Sequence, residues 1–168
     1  SCAFKAVELC GPVIDAMSVE GRQTVCGQAM FLGATTMLIA PDAKTLAYVD
    51  GRCKKALEPV YADADAVYER VVTIDVTDLA PIVVVPPSPA NTRNLADHLG
   101  LPVQSGYLGS CASGRLEDLR AAAAVLKGRR IPPGFQLHVV PTSKAIMSAA
   151  AREGLISTLV DSGAFIIC

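Results

Sequence analysis

From Val103 to Ile167, short apolar runs alternate with longer alanine-rich stretches, and that alternation admits few folds. Val103–Leu108, Phe135–Val140 and Ala164–Ile167 read as strands. Arg115–Lys127, Lys144–Glu153 and Leu155–Asp161 read as helices. Gly128 supplies a left-handed cap for the first helix, and Gly154 stops the second. Strand, helix and strand in succession make a βαβ unit, so the expected fold class is α/β with a parallel sheet. The chain is 51% hydrophobic but only 5% aromatic, and it has no Trp. Its interior must therefore be built from Ala, Val, Leu and Ile, which suits helices packed closely on buried strands. The charged fraction, 18%, lies below the usual level of about a quarter. A chain this apolar packs tightly or belongs to something larger that covers its surface.

The first half is less regular. Ala3–Leu9 reads as a short helix interrupted by Gly11-Pro12. Ser18–Gly21 opens a helix that runs from Arg22 to about Leu32, and Thr35–Ala40 reads as a buried strand. Asp42 is the expected N-cap of a helix over Ala43–Val49. Leu57–Glu69 is an acidic surface helix or loop, and Val71–Val76 and Ile82–Val85 read as strands. Pro86-Pro87-Ser88-Pro89 is the strongest break in the chain. The expected organisation is thus a first α/β subdomain over 1–85, a linker over 86–93, and a second subdomain over 94–168 that ends within its last strand at Cys168.

Several function classes are disfavoured. The net charge is −1 and no basic face is evident, so the phosphate-neutralising surface of a nucleic-acid binder is missing. Lys54–Lys55 and Arg129–Arg130 follow helix ends, where the dipole favours cations. No apolar run is long enough to span a membrane, and Ser1–Lys5 lacks the shape of a signal peptide, so a cytoplasmic location is expected. The six cysteines include no C-x-x-C pair and are expected to be thiols. His98 and His138 read as structural. Asp75 and Asp78 are spaced as a carboxylate pair, with Asp78 reading as a turn residue.

One loop stands out on physical grounds. Gly109-Ser110-Cys111-Ala112-Ser113-Gly114 joins a strand to a helix start, where free amides and the helix dipole favour an anion. The glycines allow close backbone approach, and Ser113 is placed to act as N-cap. Cys111 sits where the thiolate form, which metal ligation and nucleophilic attack both require, is favoured. The residues alone leave two readings open: a ligand-binding loop, or a capped βα connection with an incidental cysteine.

Longer motifs favour the first. Ser18-Val19-Glu20-Gly21-Arg22-Gln23-Thr24-Val25-Cys26 resembles the S-M-E-G-R-M-T-V/I-C segment of the aconitase and 3-isopropylmalate dehydratase large-subunit family. Gly33-Ala34, Ile39-Ala40-Pro41-Asp42 and Thr45 follow in family order, as does Asp75-Val76-Thr77-Asp78-Leu79-Ala80-Pro81. Leu108-Gly109-Ser110-Cys111-Ala112-Ser113-Gly114-Arg115-Leu116-Glu117-Asp118-Leu119 resembles I/L-G-S-C-T-N-G-R-I/L-E-D-L, and Val139–Ser143 and Arg152–Leu155 continue the match. The resemblance implies an aconitase-like three-layer α/β/α fold, with this chain supplying parts of two subdomains. It also implies a 4Fe–4S cluster held by three cysteines with one iron open to substrate, the chemistry of a hydro-lyase acting on a hydroxy di- or tricarboxylic acid. Cys111 matches the first cluster cysteine. The others belong to a C-G-P-C-like motif beyond the strand resembling Gly163–Ile167, so Cys168 is not counted among them. Ser110, Ser113 and Arg115 are the residues expected to meet the substrate's anionic groups. A small subunit carrying a swivelling domain is the implied partner. With one matching cysteine, this stretch alone is expected to hold a cluster poorly and to be inactive.

The chain departs from the family pattern at several places. The family's N-x-x-x-E after the cysteine matching Cys26 becomes Gly27 and Phe31, and its T-N becomes Ala112-Ser113. Val84-Val85-Pro86-Pro87-Ser88-Pro89 stands where relatives often show T-W-G-T-x-P. Such changes suit a different substrate, with Phe31 favouring a bulkier apolar group, or a relative that has become a structural or binding module without a cluster.

Overall fold

A computed structural model describes residues 2–167; the expectation for Cys168 lies outside the described residues. The chain divides into two compact units, one made of Ser1–Val60 with Val103–Cys168 and the other of Tyr61–Pro102.

In the first unit, strand β1 (Ala6–Glu8) leads into helix α1 (Pro12–Ala16), helix α2 (Val19–Gly27), strand β2 (Thr36–Leu38) and helix α3 (Ala43–Val49). The expected helix over Ala3–Leu9 is a strand instead. It pairs in parallel with β2, Ala6 beside Thr36 and Glu8 beside Leu38, and the ladder continues through Leu9 N–H to Leu38 O at 2.9 Å. A partner strand thirty residues away overrides the local helical preference, as tertiary context commonly does. Pro12 occupies the first turn of α1, where its missing N–H has no cost. The helix expected to reach Leu32 stops at Gly27. Ala29–Leu32 tightens into a 3-10 turn, and Gly33, at φ 72°, closes it. β2 is less buried than expected, with Met37 inside and Leu38 exposed. Asp42 caps α3 as expected, accepting from the Thr45 amide at 2.9 Å.

The second unit contains a hairpin, β3 (Ile82–Val84) against β4 (Thr92–Asn94), with Ile82 opposite Asn94. Pro86-Pro87-Ser88-Pro89 lies in its turn, and Val85 N–H donates to Asn91 O at 2.9 Å. The stretch read as a linker is therefore the hairpin's connection together with the start of β4. Val71–Val76 forms no strand; Val71 and Ile74 are largely exposed. Alternation alone does not make a strand when no neighbour satisfies its backbone groups. Asp75 and Asp78 are not paired through the described hydrogen bonds. Asp75 instead accepts from the amide and hydroxyl of Thr77, at 2.9 and 2.6 Å, and these bonds lower its pKa.

The remainder of the first unit follows the expected alternation. β5 (Ser105–Gly109), α4 (Leu116–Leu126), β6 (Gln136–Val140), α5 (Lys144–Arg152), α6 (Leu155–Asp161) and β7 (Phe165–Ile166) give a parallel sheet in the order β5-β6-β7. Leu108, Val139 and Ile166 lie side by side in register and meet Leu119, Ala123, Ala150 and Leu159 from the three helices. Leu119, Val139, Ala150 and Leu159 are wholly inaccessible to solvent. The small Ala123 lets α4 pack closely. The alternate row, Tyr107, His138 and Phe165, points to the opposite face, where Tyr107 and Phe165 are exposed. His138 stacks on Phe165 with ring centroids 5.6 Å apart, a packing role as expected. Among the described residues no helix is long and apolar enough to cross a membrane.

Candidate functional site

The loop singled out by sequence lies at the carboxyl end of β5, the end at which open α/β sheets gather ligands. Two glycines make it possible. A Cβ on Gly109 (φ 118°) would lie 2.0 Å from the Val140 carbonyl oxygen, and one on Gly114 (φ 81°) would lie 2.4 Å from the same atom. Val140 O instead receives the Ser110 amide at 3.2 Å. Ser110 itself sits at φ 94°, a conformation costing a non-glycine residue roughly 1–2 kcal/mol. Its hydroxyl oxygen accepts from the Cys111 amide at 2.5 Å and donates to Cys111 Sγ at 3.6 Å. Cys111 is exposed and is a free thiol, as are the other described cysteines.

The loop is fastened on its far side by Thr142, whose amide donates to Gly114 O at 3.1 Å and whose hydroxyl donates to Ser113 O at 2.6 Å. The segment Val139–Ser143 thus acts as a backboard for the Cys111 loop. Sequence reasoning did not single out Thr142; the only signal was its place in a matching motif beside the next strand end.

Ser113 does not cap α4. Its hydroxyl donates back to Gly109 O at 3.3 Å, and Arg115 occupies the N-cap position because the chain turns at Gly114. Several of the amides expected to cradle an anion already have partners. Gly114 and Arg115 N–H both donate to Asp118 Oδ2 at 2.9 Å, and Glu117 N–H donates to Glu20 Oε2 at 3.0 Å. Asp118, three residues past the cap, stands at the N3 position, where an acidic side chain can reach back to the cap amide. Arg115 is half-buried, and its Nε is buried and without a hydrogen-bond partner.

Helix α2 flanks the loop. Ser18 caps it, accepting from the Gly21 amide at 2.9 Å, and donates to the Glu117 carboxylate at 2.7 and 3.0 Å. At its other end, a Cβ on Gly27 would lie 3.5 Å from Ala112 Cβ. Two departures from the family pattern are therefore neighbours, and both are reductions in size. Phe31 is exposed on the 3-10 turn that follows. Burial pushes the Cys26 thiol pKa up, which disfavours its thiolate. Among the described residues no three His, Cys, Asp or Glu side chains converge as a metal site.

Residues 3–167 match the model of the aconitase family (aconitate hydratase). The chain is 44% identical over 163 residues to the 3-isopropylmalate dehydratase large subunit of Oleidesulfovibrio alaskensis, covering 97% of this chain and 39% of that protein. It is 38% identical over 161 residues to the large subunit of Heliobacterium modesticaldum, covering 96% and 38%. It is 39% identical over 165 residues to large subunit 1 of Pyrococcus abyssi, covering 97% and 39%. The chain thus spans about two fifths of the length of the curated relatives it matches. With the glycine-hinged Cys111 loop on a parallel βαβ sheet and a family match along nearly all its length, the chain belongs to the aconitase family.

Proposed function

We propose that this chain is part of a hydro-lyase that dehydrates and rehydrates a hydroxy di- or tricarboxylic acid, in the manner of 3-isopropylmalate dehydratase, with Cys111 as one ligand to a 4Fe–4S cluster. The observation that carries the reading is the presentation of Cys111: an exposed free thiol on a loop pinned by Gly109, Gly114 and Thr142. That donor fits one corner of a cluster. The remaining thiolates would come from chain outside these residues, and the 168-residue stretch alone is expected to bind no stable cluster and to be inactive. When bound, the cluster supplies a Lewis-acidic iron for the hydroxyl and carboxylate of the substrate.

The residues of this chain have separate tasks. Arg115 and the Ser110 hydroxyl bind anionic groups of the substrate. Ser113, whose hydroxyl is bonded to Gly109 O, shapes the loop and joins them at the anionic groups. Gly27 and Ala112 leave room beside Cys111. The relatives are named large subunits, and a small subunit completing the substrate site is the proposed partner. The proposed location is the cytoplasm.

A second reading has specific support. Gly27, Phe31 and Ala112 replace an amide, a carboxylate and a hydroxyl of the family pattern, as in a catalytically degenerate aconitase-like module without a cluster. The test is iron, acid-labile sulfide and the visible spectrum of the full-length protein prepared without oxygen. About four iron and four sulfide per chain, lost in Cys111→Ser, support the hydro-lyase. Absence of iron after reconstitution supports the degenerate module.

A further inference from the structure

The starts of α2 and α4 exchange acids. Glu20 is the second residue of α2, and its carboxylate receives the Glu117 amide of α4 at 3.0 Å. Glu117 is the second residue of α4, and its carboxylate receives the hydroxyl of Ser18, the N-cap of α2, at 2.7 and 3.0 Å. Both carboxylates lie where a helix dipole favours negative charge. Arg120 is ion-paired with Glu153 at 2.6 Å, which raises its pKa, and the charges of Glu20 and Glu117 act in the same direction. A Cβ on Gly21 would lie 3.3 Å from Ser18 Oγ and 3.7 Å from Glu117 Oε1, so a side chain there would press on the junction. At its far end α2 meets the Cys111 loop through Gly27 and Ala112. One helix thus touches the βα connection at two places, Ala112 and Glu117, both just past the thiol in the chain.

We propose that Glu117 is a positioning residue for Cys111: held by Ser18 and Glu20, it fixes the start of α4, and with it the loop that presents the thiol, against α2. This rests on the cluster-bearing reading of Cys111. Glu117 does not touch the reacting groups. It acts through Gly114–Leu116, the three residues that join it to the loop. Without its carboxylate the loop keeps its Val140 and Thr142 bonds and the Glu117 amide keeps Glu20, but the Ser18 bond to α2 is lost and the gap at Gly27 and Ala112 is set less firmly.

The test uses the full-length protein with Ser18→Ala, Glu117→Ala and the conservative Glu117→Gln. Amide exchange over residues 109–118 is measured in cluster-free protein, and the decay of iron–sulfur absorbance in air is measured after reconstitution. In Glu117→Ala and Ser18→Ala, exchange in that segment is expected to rise about fivefold, the equivalent of one lost hydrogen bond, with β6 and α5 unchanged. Cluster loss accelerates in the same two variants, and Glu117→Gln, which keeps an acceptor for Ser18, stays near wild type. Unchanged exchange in Glu117→Ala overturns the proposal. So does a uniform rise over β6, α5 and α6, which is what a purely structural role gives, or a cluster as stable in Glu117→Ala as in wild type. A wild-type protein that takes up no cluster defeats the hydro-lyase reading and the Cys111-positioning role together, while the exchange measurement still reports whether the α2–α4 junction holds the loop.

Discussion

Arg22 reaches Asp42 at 2.6 Å across the gap between α2 and α3, and nearly every polar atom of the buried guanidinium is used. Its Nε donates to Ile14 O at 3.1 Å, Nη1 to Thr45 Oγ1 at 3.3 Å and Nη2 to Asp15 O at 3.1 Å. Asp42 meanwhile caps α3 through the Thr45 amide and hydroxyl. The family segments that carry Arg22 and Asp42 are thus two halves of one joint, which ties α1, α2 and α3 together.

That joint predicts an acid-sensitive stability. The bond from Arg22, followed by the Thr45 amide, holds the Asp42 carboxyl far below the usual carboxylate range. A depressed pKa in the folded state means that the stabilisation is complete above the unfolded value of about 4 and is lost as pH falls below it. Melting temperature measured from pH 7 down to pH 3 should therefore drop steeply at the acid end. Asp42→Asn should melt lower at neutral pH and lose less on acidification. Parallel curves for the two proteins would count against the joint.

The loop glycines predict a graded effect. Gly114 and Gly128 both have positive φ, 81° and 72°, but only Gly114 has backbone atoms where a Cβ would sit. Gly128→Ala should cost about 1 kcal/mol from backbone conformation alone. Gly114→Ala adds a clash with Val140 O and should cost at least about 2 kcal/mol more, or force the loop open. Denaturant titration of the pair is the check, and equal costs would mean that the loop is not pinned as described.

How far the sequence can be read follows from where each signal resides. The β5–β7 half was legible to within a residue or two at most boundaries, because its strands are locally apolar, its helices alanine-rich and its stops glycine. β1 was not, because its strand character comes from β2 and not from its own residues. Val71–Val76 failed in the opposite sense, carrying the pattern without a neighbour to pair with. At the site, Cys111 and its glycines could be found from local chemistry. The filled helix start could not, since Glu20 and Glu117 lie 97 residues apart and only the fold brings them together.

Leu119 predicts where the stability of the βαβ half resides. It is fully buried among the residues that join α4 to the sheet. Leu119→Ala should cost about 2–5 kcal/mol, according to how far its neighbours collapse. The loss should appear in the cooperative unfolding of the first unit. A change below about 1 kcal/mol, within the range of surface substitutions, would mean that the cluster around Leu119 is not the core.

Gly27 gives a prediction that separates stability from chemistry. It is the last residue of α2, it is exposed, and a Cβ there would make only ordinary contact with Ala112 at 3.5 Å. The family pattern has asparagine at this position, and asparagine is a somewhat better helix residue than glycine. Gly27→Asn should therefore leave the melting temperature unchanged or slightly higher. On the hydro-lyase reading the new amide fills the space beside the Cys111 loop, which in this chain is kept open by two small residues. kcat/KM for the hydroxy acid that the wild-type protein turns over should then fall by about tenfold or more, equivalent to about 1.4 kcal/mol of transition-state binding. A variant that melts several degrees lower would mean that Gly27 is required by packing. One that melts normally and turns over its substrate at the wild-type rate would mean that the gap between Gly27 and Ala112 lies outside the substrate's reach.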